Sequence, residues 1–106
     1  MKRSKQVTVQ IFITAHAFER GKERLGLSEK PFQKMAMKAF ISGIMHSETV
    51  GELKKFISDL YNVQKNANCI RIYGEVIYLF ADNTLITVLH LPNELKKYLP
   101  LIKTQK

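Results

Sequence analysis

Tryptophan is absent from this chain, and cysteine occurs once, at Cys69. One thiol cannot build a disulfide framework, nor a cysteine zinc site within one chain. The protein must hold itself together by packing, as in a reducing, cytoplasmic compartment. Cys69 itself precedes an apolar run and reads as a small buried filler. Prolines number three and glycines five, which excludes collagen-like and linker-rich classes. Long hydrophobic runs are also missing. Lys2, Arg3 and Lys5 precede Val7 to Ile13 in the manner of a signal peptide, but Thr8 and Gln10 interrupt that short stretch. Nothing approaches the ~20 apolar residues of a membrane span. Neither His46 nor His90 has a second histidine or a carboxylate at ligand spacing, so no metal and no cofactor is expected. There is no phosphate-cradling glycine loop and no Ser/His/Asp or Cys/His pattern.

What is scarce on the acidic side is abundant on the basic side. Seventeen Lys and Arg face nine Asp and Glu, a net charge of +8. Such a balance favours nucleic acid or another polyanion as partner; solubility or attraction to an acidic protein is the plainer reading. A length of 106 residues with 45% hydrophobic and 25% charged residues reads as one globular domain over the whole chain, with a basic, flexible tail from about residue 101.

Local patterns order the elements. Val7, Val9, Ile11 and Ile13 alternate as in a strand. Thr14 is placed to cap a helix that Gly26 ends. Ser28 opens a second helix, whose apolar face runs Phe32, Met35, Ala36, Ala39, Phe40 and which closes at Ser42-Gly43 or His46-Ser47. A third helix is expected from about Val50 to Tyr61. Beyond a polar loop, Cys69 to Leu89 reads as a three-stranded meander with turns at Gly74-Glu75 and Asp82-Asn83. Those turns set Arg71 opposite Tyr78, Tyr78 opposite Thr87, Ile72 opposite Ile77 and Leu79 opposite Ile86. One face would then be aliphatic (Ile70, Ile72, Ile77, Leu79, Ile86, Val88) and lie on the helices. The other would carry Arg71, Tyr73, Tyr78 and Thr87, with Phe80, Leu85 and Leu89 among them. A short helix from Asn93 to Tyr98 follows Pro92. The fold class is α+β, with N-terminal helices packed on one face of an antiparallel sheet.

Two constellations could carry chemistry. His16, Arg20 and Arg24 fall four apart, drifting by only ~40° per step along one helical stripe. Imidazole titrates near neutrality and can act as base or acid, while guanidinium groups match phosphate oxygens with a planar fork. An ordinary solvated helix face with Glu19 and Glu23 paired to nearby cations has the same spacing. The row Arg71, Tyr73, Tyr78 on the sheet could stack bases and hold phosphate, with the Thr87 hydroxyl as a donor. An antiparallel sheet with one wet side looks the same.

Ile13-Thr-Ala-His16 with Arg20 and Glu23-Arg24-Leu25-Gly26, together with Leu85-Ile86-Thr87-Val88, resembles small phage and bacterial proteins of the barnase, colicin D and RelE-like ribonuclease toxin class. The resemblance covers roughly residues 11–26 and 70–92. It implies a metal-independent RNA endonuclease that leaves a 2′,3′-cyclic phosphate, often neutralised by a cognate antitoxin. Residue by residue it makes His16 the acid or base, Arg20 and Arg24 the phosphate clamp and Thr87 a positioning donor. The alternative is a non-catalytic phage accessory protein that binds nucleic acid or a host protein.

Overall fold

Segments with helical apolar spacing form helices here, and alternating segments form strands. In the computed structural model, which describes residues 10–102, the order is β1 (Phe12–Ile13), α1 (Ala15–Leu25), α2 (Glu29–Ser42), β2 (Ile44–Met45), a 3-10 turn at His46–Glu48, α3 (Gly51–Val63), β3 (Cys69–Tyr73), β4 (Val76–Ala81), β5 (Thr84–His90) and a 3-10 helix at Asn93–Leu101. The fold is α+β. Five strands form one sheet in the order β1-β5-β4-β3-β2. Four of them pair antiparallel, while β1 runs parallel to β5. Of the strand expected from Val7, residues 7–9 lie outside the described ones, and among the rest Phe12–Ile13 form β1. At the other end Ile102 is 5% exposed and belongs to the core, so packing runs past the point where the tail was expected to begin. Residues 103–106 are outside the described ones.

The helix ends obey the local signals. Thr14 accepts the Ala17 amide at 3.0 Å, and Gly26 takes the left-handed conformation (φ 68°) that ends α1. Ser28 stands at the start of α2 but makes no side-chain cap bond. Gly21 has a packing role. A Cβ there would meet the Phe32 ring at 2.7 Å, so glycine is what lets α1 close on α2.

Both hairpin turns are where the sequence puts them. Gly74 and Glu75 have φ of 58° and 63°, and Asp82 has 56°. Arg71 pairs with Tyr78 and Ile72 with Ile77, as expected. The ladder between β4 and β5 then departs from expectation. It starts as Phe80 with Leu85, but Leu79 pairs with Thr87 and Tyr78 with Val88. Ile86 is the extra residue of a β-bulge. One inserted residue sends every later side chain of β5 to the opposite face.

That bulge and a second helical layer rewrite the faces. Ile70, Ile72, Ile77 and Leu79 form the aliphatic face and pack on Leu53 and Ile57 of α3 and on Leu95, with Ile86 and Leu89 at its margin. Tyr78, Phe80, Leu85 and Val88 form a second core beneath Ala17, Phe32, Ala36 and Ala39 of α1 and α2. The N-terminal helices do cover one face, but it is the face opposite the aliphatic one expected to receive them. Helices therefore lie on both sides of the sheet, and neither face is open.

Candidate nucleic-acid interface

The position of α1 follows from the free edge of β5. Two residues of β1 cover only the start of that edge, through Phe12 N–H to the Asn83 carbonyl and Thr14 N–H to the Leu85 carbonyl. Further along, β5 would present bare carbonyls. Side chains at the two ends of α1 take them. The Thr14 hydroxyl donates to the Ile86 carbonyl at 3.3 Å, and Arg24 donates to the Val88 carbonyl at 2.7 Å. In return His90 Nε2 donates to the Arg24 carbonyl at 2.7 Å, so the imidazole sits at the negative end of the helix.

This strapping decides the fate of the His16–Arg20–Arg24 stripe. A drift of ~40° per step becomes ~80° over two steps. His16 ends up exposed beside an open cleft of about 750 Å³ between α1 and α2, flanked by Glu19, Lys22 and Glu29. Arg20 pairs with Glu23 at 2.7 Å. Arg24 has turned to the sheet edge, where it is a structural donor. The three do not converge on one anion.

Thr87 does not join them. It is 8% exposed and pairs with Leu79, so its side chain shares the face that packs on α3, across the sheet from α1. The expected union of α1 and the last-strand hydroxyl is not assembled, and the physical reason is the bulge at Ile86. The sheet row is dissolved as well. Tyr78 is fully buried, and burial, then the neighbouring Tyr73, pushes its phenol up to about 12. It cannot stack on a base. Tyr73 is half-buried at the end of β3. Arg71 lies near the opposite edge of the sheet, in a groove of about 630 Å³ that Ile41, Met45 and Glu48 also line.

A third group went unnoticed in the sequence. Lys30, Lys34 and Lys38 fall four apart on α2, and all three are exposed. None makes an ion pair among the described residues, where the pairs are Arg20–Glu23, Lys55–Asp59 and Lys96–Glu75. Their spacing is as legible in the sequence as that of His16, Arg20 and Arg24. With Arg20, Lys22 and Arg24 they make six cations on the α1–α2 layer, against Glu19, Glu23 and Glu29. The face on the far side, from α3, is more balanced.

Also unforeseen is a contact between His46 Nε2 and the Ser58 hydroxyl at 2.8 Å, with the imidazole edge-on to Tyr61. Ser58 in turn donates to the Lys54 carbonyl, so the contact fastens the turn after β2 to α3. Among the described residues no three His, Cys, Asp or Glu side chains gather as a metal site. No helix among the described residues is long and apolar enough to cross a membrane. No family model, no curated protein and no solved structure matches the chain.

Proposed function

We propose that this protein is a non-catalytic RNA-binding module that uses the outer surface of α1 and α2. The observation that carries the reading is the exposed row Lys30, Lys34, Lys38, which has no carboxylate partner among the described residues. Unpaired ammonium groups condense onto phosphates and release counterions. Affinity then falls with salt, with a log–log slope of about −0.7 to −0.9 per phosphate contacted. The resemblance to ribonuclease toxins points to RNA as the polyanion.

The ribonuclease reading survives in a narrower form. His16 stands exposed one turn before Arg20, so an imidazole and a guanidinium are available without Thr87 or Arg24. Cleavage through a cyclic phosphate needs a base, an acid and charge stabilisation together. Arg20 is already paired with Glu23, and a second titratable group within reach of His16 would have to be Glu19 or Glu29 from the cleft.

One experiment separates the two. Purified protein is incubated with total RNA in EDTA, as wild type and as His16→Ala. Retention of RNA by both proteins, with no cleavage by either, is the expected result. Cleavage that disappears in His16→Ala would establish the ribonuclease instead. Absence of retention at 50 mM salt would end the RNA reading and favour a protein partner.

A further inference from the structure

We infer that the groove beside β2 takes a segment of a partner protein in which a carboxylate is flanked by large apolar side chains. The inference does not rest on the RNA reading. Three observations carry it. The first is where the sheet ends. β2 is an outermost strand and has two residues. Its Met45 pairs with Arg71 of β3, so both side chains stand on the same face of the sheet, beside the last turn of α2. A Cβ at Gly43 would meet the Ala39 carbonyl and, at 2.9 Å, the Arg71 Cβ, so glycine is what lets α2 and the stem of Arg71 lie this close. The second is exposed hydrocarbon. Ile41 is 56% and Met45 40% exposed, and both line this groove of about 630 Å³ with the half-buried Phe40. Single exposed apolar side chains are ordinary, but here two lie together around a depression. The third is charge. Arg71 is half-buried, and its guanidinium makes neither an ion pair nor a hydrogen bond among the described residues.

A partly desolvated guanidinium without an anion is a favourable place for one. It holds a carboxylate through two parallel hydrogen bonds, and the attraction is stronger here than in open water because Phe40, Ile41 and Met45 lower the local polarity. The apolar flanks of the same segment cover Ile41 and Met45. Glu48 also lines the groove, but its carboxylate accepts the Met45 amide at 2.8 Å. That bond has a second effect. A bare edge strand invites an incoming strand through its main chain. With the Met45 amide taken, recognition runs through side chains and therefore selects for sequence. The net charge of +8 adds long-range attraction for an acidic partner. A second copy of this chain is the poorer fit, because two bodies of that charge repel each other.

The test uses the full chain and a displayed library of short random peptides, selected on the wild type after depletion on an unrelated protein of similar basic charge. Enriched peptides are synthesised and titrated by fluorescence anisotropy. They are expected to carry Asp or Glu between large apolar residues. Arg71→Gln and Ile41→Asp should each weaken their binding by about tenfold or more, with thermal midpoints close to that of the wild type. Ile41→Asp changes an exposed side chain, so it keeps the test open if Arg71→Gln disturbs the sheet. K30Q/K34Q, further back on α2, should bind the peptides as wild type does. Failure of any peptide to enrich overturns the inference. Enriched peptides without an acidic residue overturn it too, and so does binding that survives either groove substitution in a folded protein. A wild type that sediments as a dimer, and as a monomer once Ile41 is replaced by Asp, assigns the groove to a second copy instead.

Discussion

Tyr78→Phe should make this protein more stable. The Tyr78 side chain is fully buried, on the middle strand of the sheet, and its hydroxyl finds no hydrogen-bond partner among the described residues. A buried polar group left unpaired costs about 1–3 kcal/mol. Phenylalanine keeps the ring and its contacts with the second core and removes only that oxygen. A gain of about 1 kcal/mol is expected at neutral pH, which for a domain of this size raises the thermal midpoint by roughly 4–8 °C. The gain should also depend on pH, in a stated direction. Burial lifts the phenol from 10.0 to about 12 in the folded protein. Below pH 10 both states hold the proton. Between pH 10 and about 12 the unfolded chain releases it and the folded protein does not, so wild-type stability falls as pH rises. One proton corresponds to about 1.4 kcal/mol per pH unit. The variant lacks that proton, and all other titrations are common to both proteins and cancel. Its advantage should therefore widen by up to about 1.4 kcal/mol between pH 10 and pH 11. The measurement is urea unfolding of both proteins at pH 7, 10 and 11, comparing midpoints at equal slope. A variant less stable than wild type at pH 7 would mean that the hydroxyl is bonded. A stability difference that stays flat with pH would refute the account of its ionisation.

Other substitutions follow from the packing. Gly21→Ala places a methyl group 2.7 Å from the Phe32 ring and should cost about 1–3 kcal/mol in unfolding experiments, since α1 cannot move away while strapped to β5. Tyr61→Phe removes the acceptor of the Ile70 amide, bonded at 2.8 Å, and should cost about 1–3 kcal/mol. Hydrogen exchange at the Ile70 amide would report that loss directly. Arg24→Met breaks the bond to the Val88 carbonyl. It should lower stability by about 1 kcal/mol and leave RNA affinity almost unchanged. A large loss of affinity with normal stability would return Arg24 to the binding site.

Much of the architecture is legible one segment at a time. The Thr14 cap, the Gly26 stop and the turns at Gly74-Glu75 and Asp82-Asn83 depend on residues within a few positions of each other, and all appear as read, while α2 stops at Ser42, the earlier of the two ends its pattern allowed. The pairing of Arg71 with Tyr78 follows from a local turn and is also as read. The candidate site was less legible. His16 is exposed and Arg20 half-buried one turn on, but Arg24 is claimed by a carbonyl of β5, 64 residues away in sequence. Thr87 was assigned to the wrong face because the alternation of β5 contains no mark of the bulge at Ile86. The row of Tyr73 and Tyr78 was read as a binding face or a wet side because a tyrosine tolerates both environments, although Phe80, Leu85 and Leu89 beside it pointed to partial cover. Only the helices above it exclude water.

The sequence by itself determined the order of the three α-helices and of the meander strands, both ends of α1, the hairpin turns and the basic character of the chain, because each of these depends on nearest neighbours or on composition. Tertiary structure alone decided which face of the sheet each helix covers, where the ladder slips by one residue, and which cations stay free of partners. Those are set by contacts between segments far apart in the chain, where one inserted residue or one bare carbonyl at a strand edge outweighs the local pattern.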